Sequence, residues 1–365
     1  MSAFSRTLRC LERGVEAGLH PGAQLAVIQR GVVLLEVAVG GNRPGEPLTT
    51  DHLMPWLSAG KPLTAVAILQ LWEADQLDLD TPVAAVIPEF ASHDKDAITI
   101  RHLLTHTGGF RDGDKVSEHL DWAAAIARVC AATVDRDSTP GETAAYHVNG
   151  SWFILGELIR RLDGRMPDQF VREEVCAPCG MTDSWMALPA AELASNRQRV
   201  GLIHLTSPPA VELHPYLNRE RNWLQPRPGS TMRGPVRELA RFYAMLLADA
   251  QANEGRLLRP DSIRQMTARQ RAGRFDHSFQ HVIDWGWGVI INSNRHGRST
   301  VPYGFGLHAS DSAFGHGGMQ SACGFADPEH GLAVAWVCNG MPGEKFHQLR
   351  AREINTAIYE DLGLA

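Results

Sequence analysis

Apolar residues change their rhythm three times along the chain. Near the start Phe4, Leu8, Leu11, Val15 and Leu19 recur at helical spacing, which predicts an amphipathic helix over residues 2–19, ended by Pro21-Gly22. Two short apolar runs follow, Leu25 to Ile28 and Val32 to Val39, and their break at Arg30-Gly31 predicts a hairpin. From Pro62 to Trp72 the chain is apolar nearly all round, as in a helix buried on every side. Ile98 to Gly109 reads as a strand end, a short helix and a glycine stop. Residues 116–133 and 150–175 carry helical patterns, and Cys176 to Trp223 is irregular and rich in proline. Leu239, Phe242, Tyr243 and Leu246 predict an amphipathic helix from Pro235 to Ala248, and 260–269 predicts another. The rhythm then turns to strands: Trp287 to Ile291, Gln320 to Ala326 and Leu332 to Val337. His347 to Asp361 is a closing helix.

Strands at both ends with helices between them predict an α+β fold. Residues 1–60 and 232–365 would build one α/β part from both termini, and 61–231 an inserted, mostly helical part. At 365 residues and 44% apolar content the chain can bury a large core in one domain or two. A net charge of −6 without a basic run argues against nucleic acid or an anionic membrane as partner. No signal-peptide pattern and no long apolar run is present, so the expected location is cytoplasmic. The six cysteines are scattered, as free thiols are in a reducing compartment.

Chemistry enters at Trp56-Leu57-Ser58-Ala59-Gly60-Lys61, ahead of the all-apolar helix. A serine and a lysine three apart on a helix share a face, with Cβ atoms about 5–6 Å apart, so the amine reaches the hydroxyl. Free N–H groups at a helix start favour a developing anion. A nucleophile, a base and anion stabilisation are what an acylating serine enzyme needs. Ser92-His93-Asp94-Lys95 repeats the spacing but sits among charged residues; it reads as a solvated loop without a role. Tyr146-His147-Val148 precedes an apolar helix and offers a phenolic O–H. In Phe314-Gly315-His316-Gly317-Gly318-Met319, just before a predicted strand, the glycines admit a second backbone close to a strand edge, whose N–H can complete an oxyanion hole.

Ser58-x-x-Lys61, Tyr146-x-Val148 and His316-Gly317-Gly318, in that order, resemble the serine β-lactamase and penicillin-binding protein superfamily, and most closely its class C β-lactamase-related esterases. Thr99 to Gly109 and Gly324-Phe325-Ala326-Asp327-Pro328 extend the resemblance over most of the chain. It implies an antiparallel sheet flanked by helices, beside a helical domain. It also implies Ser58 as nucleophile, Lys61 and Tyr146 as a proton-transfer pair, and an oxyanion hole from the N–H groups of Ser58 and Met319. No cofactor is implied. Two departures stand out. The pattern has Asn where Val148 stands, with Asn149 one place late. It has Lys-Thr-Gly where this chain has His316-Gly317-Gly318. A mostly neutral histidine holds a β-lactam carboxylate less well than lysine does. Both changes point toward uncharged esters.

Three other readings compete. His102 and His106 are four apart, but Leu103 stands where a zincin needs Glu, so no metal is expected. Cys176-Ala177-Pro178-Cys179 has redox spacing without the strand-to-helix context, which reads as a loop with two thiols. A non-catalytic binding module would lack one of Ser58, Lys61 and Tyr146, and all are present. The expected protein is therefore a serine hydrolase acting on a small acyl substrate, or an acyltransferase with a second, acceptor substrate. His316, Gly317, Gly318, Val148 and Trp287 are the expected binding residues, with Trp56, Trp152, Trp285 and Tyr303 as further candidate pocket walls.

Overall fold

The computed structural model describes residues 4–117, 119–207, 210–252 and 256–365. Its centre is a seven-stranded antiparallel sheet made from the two ends of the chain. The strands are β1 (Gly22–Gln29), β2 (Val32–Arg43), β3 (Glu46–Pro47), β4 (Ile290–Ile291), β5 (Phe314–Gly318), β6 (Ala322–Asp327) and β7 (Leu332–Cys338), in the spatial order β4-β5-β6-β7-β1-β2-β3. Register is set at Leu25↔Trp336, Phe325↔Val334 and His316↔Gly324.

Both faces of the sheet are covered, so β1 and β7 read as continuous apolar runs rather than as alternating ones. On one face Leu25, Val27, Val334 and Trp336 pack against α1 (Ser5–Glu16) and the closing helix. On the other, Ala26, Ala333 and Ala335 meet a helix over Val236–Gln251. Large side chains face the first layer and alanines the second, which lets the second helix lie close. Its core continues into α2 (Lys61–Glu73) and α3 (Gly150–Asp163). Every residue of α2 from Lys61 to Leu69 is buried. With the amphipathic helix over Val236–Gln251 as α4 and Glu344–Asp361 as α5, these helices enclose the sheet.

Several expectations shift. The Ser58 segment is a 3₁₀ turn, Leu57–Gly60, that feeds α2, rather than the first turn of the α-helix itself. The His316 glycines lie inside β5, not before a strand; their low β-propensity hid it. The β run from Trp287 shrinks to Ile290–Ile291, because Gly288 turns the backbone at φ +72°. Of 116–133 only Trp122–Cys130 is helical, and residue 118 lies outside the described residues. The helix from 150 stops at Gly164, left-handed at φ 95°, and resumes at Pro167. The proline-rich stretch holds two strands, His204–Ser207 and Ala210–Leu213, in a small sheet with Gly340–Met341. Among the described residues no helix is long and apolar enough to cross a membrane.

The two chain ends are tied by a buried cationic hub. Arg350 of α5 donates to the carbonyls of Leu19, Gln320 and Gly340 and to His20 Nδ1 at 3.0 Å. Its other neighbour is His347. Burial, and then the Arg350 charge, push His20 down to about 3 and His347 well below its ordinary value. Both rings are therefore neutral when folded, whereas the unfolded chain protonates them below about pH 6.5. Stability is full above that pH and declines as the pH falls toward the folded values. Between pH 7 and pH 5.5 each such histidine is expected to remove about 1 kcal/mol. Urea midpoints measured at the two pH values should fall on acidification, before carboxylates titrate. A midpoint that does not move would refute the neutral-histidine hub.

Candidate active site

The turn carrying Ser58 is held in an unusual backbone. Leu57 adopts φ 51°, a left-handed conformation that costs a non-glycine residue on the order of 1 kcal/mol. The cost is offset by its neighbours. The Leu57 side chain packs with Ile203 and Met341, and Trp56 bonds to Met232 through its N–H and to the Gly234 carbonyl through its indole. On the far side lies the end of β5. A Cβ on Gly318 would sit 2.4 Å from the Trp56 carbonyl, so only glycine lets the strand approach. This brings Ser58 next to Met319. Among the described residues neither the Ser58 nor the Met319 N–H donates to a backbone acceptor.

Lys61, fully buried, points back at the serine. Its Nζ is 3.0 Å from Ser58 Oγ, 2.8 Å from the Val148 carbonyl and 2.6 Å from the Gly229 carbonyl. Tyr146 Oη is 2.9 Å from Ser58 Oγ. The three side chains thus meet at one hydroxyl: Ser58 and Lys61 from a turn and the helix it feeds, as their spacing anticipated, and Tyr146 from a loop 88 residues away.

Tyr146 is itself strapped in place. Its N–H donates to Asp276 Oδ1 at 3.1 Å and its carbonyl accepts from Ser278 Oγ. Its ring lies against His106, Phe279 and Trp285. Asp276 is fully buried and paired to Arg271 at 2.8 Å, and it also accepts the N–H groups of Ser278 and Phe279. Arg271 donates onward to the carbonyls of Thr105 and His106, and its burial pushes it down to about 10. His106 is a buried structural group: its Nδ1 accepts the His147 N–H at 3.0 Å, and burial pushes it well below its ordinary value.

A cleft of about 400 Å³ opens over Ser58, lined in part by Tyr146, Val148, His316, Gly317 and Met319. His316 is buried, and burial, then the Lys61 charge, push it down to about 3. Its Nδ1 is 2.7 Å from the Gly317 carbonyl, which can only accept, so the neutral ring carries its proton there. Tyr303 also reaches the cleft, lying on Gly317 where a Cβ would be 2.2 Å from its ring. Trp287 does not reach it. That residue is 3% exposed and packs on Trp72 and Arg101 in the core. Trp56, Trp152 and Trp285 are buried beneath the site rather than lining it. Asn149 faces a separate surface depression beside Asn222 and Arg227.

The second Ser-x-x-Lys is not the solvated loop its charges indicated. Lys95 is fully buried and donates to the carbonyls of Ser92, Cys130 and Ala132. Ser92 Oγ bonds to the Cys130 carbonyl, so the lysine ties a loop to a helix end. His102 closes a capping box with Thr99. Cys176 and Cys179 are free, buried thiols on a helical end, and burial pushes Cys176 up to about 12. Sequence reasoning missed Leu57, Gly229, Arg271, Asp276, Phe279 and Glu344. None carries a motif; an aspartate five residues after an arginine was the only trace of the buried pair.

A model of the family described as Beta-lactamase matches residues 8–358. Among curated relatives, penicillin-binding protein 4 of Amycolatopsis lactamdurans is 28% identical over 92% of this chain and 84% of its own. Esterase/beta-lactamase LipL of Mycobacterium tuberculosis is 24% identical over 88% and 77%. A penicillin-binding protein homologue from Caulobacter crescentus superposes with a TM-score of 0.82 at 27% identity, covering 99% of this chain and 98% of that one. With the family model spanning nearly the whole chain, and with the sheet and helices matching in space, the protein belongs to the Beta-lactamase family.

Proposed function

We propose that the protein is a serine esterase that works through an acyl-enzyme on Ser58. The observation that carries this reading is the convergence of Lys61 Nζ and Tyr146 Oη on one Oγ at the floor of an open cleft. The two carbonyls on Nζ can only accept, so they take two of its hydrogens. In the neutral amine the remaining lone pair then faces the Ser58 O–H. The Tyr146 O–H donates to the same oxygen, and the pair can pass the serine proton between them. Ser58 Oγ attacks the carbonyl carbon, the substrate oxygen takes the electron pair and meets the N–H groups of Ser58 and Met319, and the C–O bond to the alcohol breaks as that alcohol is protonated. Water, activated by the same pair, then releases the acid and regenerates Ser58. A bound alcohol or amine in place of water would make the enzyme a transferase, a second reading that the apolar lining of the cleft accommodates.

An ester rather than a β-lactam fits the cleft better. No Lys or Arg is among its lining residues, and His316 is neutral, so a substrate carboxylate has no cation to meet. Val148, 45% exposed, offers only its side-chain methyls.

A fluorophosphonate probe is expected to label Ser58, mapped by mass spectrometry, and Ser58→Ala to abolish both labelling and hydrolysis of p-nitrophenyl butyrate. The kcat/KM for that ester should exceed that for a chromogenic cephalosporin. A label on another serine, or preference for the cephalosporin, would overturn the reading.

Lys61→Ala and Tyr146→Phe are each expected to lower the rate by about 10²–10⁴. If the two residues act as one unit, the double variant should be little worse than either single one. Multiplicative losses in single-turnover rates would show independent roles.

A further inference from the structure

Among the described residues, one wall of the cleft makes no hydrogen bond to the Ser58, Lys61 and Tyr146 side chains. It is formed by Phe279 and Tyr303, with Glu344 and Gln348 from the first turns of α5. Tyr303 sits in a left-handed backbone at φ 55° and donates its hydroxyl to both oxygens of Glu344, at 2.9 and 3.0 Å. Burial and the Glu344 charge push the tyrosine above its ordinary range, so it stays a donor. Gln348 donates a third bond, at 3.1 Å, and its other amide atom accepts the Tyr303 N–H. Both donor groups, the Tyr303 hydroxyl and the Gln348 amide, are neutral. Among the described residues Glu344 makes no ion pair with Lys, Arg or His, and Lys345 beside it on the helix is exposed. Its negative charge is therefore fixed in direction and has no ion-pair partner among the described residues, although its place at the start of α5 offsets part of it. Among the described residues Glu344 is the only acidic side chain lining the cleft, whose lining holds no Lys or Arg and a single, neutral histidine, His316.

The surroundings define a ligand. Phe279 and Tyr303 line the cleft together with the carboxylate, their rings edge to face with centroids 5.7 Å apart and planes at 64°. A ring face and a carboxylate without an ion-pair partner are the two features that attract an ammonium group in an otherwise apolar site. A carboxylate or phosphate would meet repulsion from Glu344 and no compensating cation.

We propose that Glu344, with the Tyr303 and Phe279 rings, is a specificity site that selects substrates bearing an ammonium group. The inference rests on the acyl-enzyme reading for its catalytic consequence, but its binding can be measured without it. The test uses isosteric pairs. Choline butyrate and neohexyl butyrate differ only by nitrogen for carbon in the quaternary group. A second pair places the same two groups on the acyl side of a p-nitrophenyl ester. At low ionic strength kcat/KM should favour the charged member of at least one pair by about 3- to 10-fold. In Glu344→Gln that ratio should fall close to one, and in Glu344→Lys it should drop below one. Because Glu344 is exposed on a helix end, both variants are expected to fold, and a circular dichroism melt checks this. In parallel, Ser58→Ala is titrated calorimetrically with choline and with neohexanol, with and without Glu344→Gln. Ester turnover with ratios of one in both pairs, or a preference that survives Glu344→Gln, would overturn the specificity site and leave the esterase standing. Choline binding that depends on Glu344 without any ester turnover would uphold the site and overturn the esterase.

Discussion

The site depends on a lysine amine placed where water cannot reach it. Burying an amine without partners costs several kcal/mol, so the fold must bring acceptors to Lys61. It brings two backbone carbonyls, from Val148 and Gly229, that come from separate loops. Each needs a permissive neighbour. Gly229 lies so near α3 that a Cβ would stand 3.0 Å from the Trp152 side chain and 3.0 Å from the Val148 carbonyl. A larger residue there would push its carbonyl away from the amine. The Tyr146 loop, the turn at Gly229 and the Ser58 turn are thereby coupled through one nitrogen. Displacing any of them leaves a buried polar group unsatisfied, which gives the three separated segments one shared geometry.

A second buried charge fixes the tyrosine. Asp276 accepts three backbone N–H groups with one oxygen and the Arg271 guanidinium with the other, and neither side chain is exposed by more than 2%. A buried pair of this kind adds little net stability over a well-packed apolar substitute, because desolvation offsets attraction. Its contribution is direction. Apolar contacts would hold the Tyr146 ring in a slot; the aspartate sets the backbone on which that ring turns, and the same oxygen sets Ser278 and Phe279 along the cleft. Arg271 carries the constraint to Thr105 and His106, whose ring packs on Tyr146. The tyrosine is thus held from its backbone and from its face.

How much of this the sequence disclosed follows from what each feature depends on. The all-apolar run from Pro62 and the continuous apolar runs of β1 and β7 are written in hydrophobicity, which is local, and they were legible. Ser58 and Lys61 could be singled out because a spacing of three ahead of an apolar helix leaves a trace in the string; Tyr146 stood out only through the resemblance that the three motifs carry together. Strand β5 was obscured because glycines selected for close approach erase the β signal that would mark them as a strand. Trp287 illustrates the opposite error: an aromatic residue near a site is as readily core as wall, and here it stacks on Trp72. Lys95 was misjudged because its neighbours are charged, while its own amine turns inward to carbonyls at a helix end. Leu57, Asp276 and Glu344 depend on backbone angles or on contacts across 40 residues or more, and no local pattern records either.

At Gly317 the departure from the resembled pattern goes with a different packing of the cleft wall. In the resembled pattern a threonine follows the cation. In this chain the second place is Gly317, and the Tyr303 ring occupies the space where a threonine Cβ would stand, at 2.2 Å. A hydroxyl at that place and the present position of Tyr303 exclude each other. Once the ring lies on the strand, its own hydroxyl reaches Glu344 and holds that carboxylate at the cleft. The neighbouring cation is absent as well: His316 is buried, neutral, and bonded to the Gly317 carbonyl through Nδ1. Absence of the threonine hydroxyl and presence of a fixed negative group are linked through the packing of one tyrosine on one glycine, whereas the neutrality of His316 follows first from its own burial. That contact sets a carboxylate in the wall of a cleft whose lining holds no Lys or Arg, above the hydroxyl on which Lys61 and Tyr146 converge.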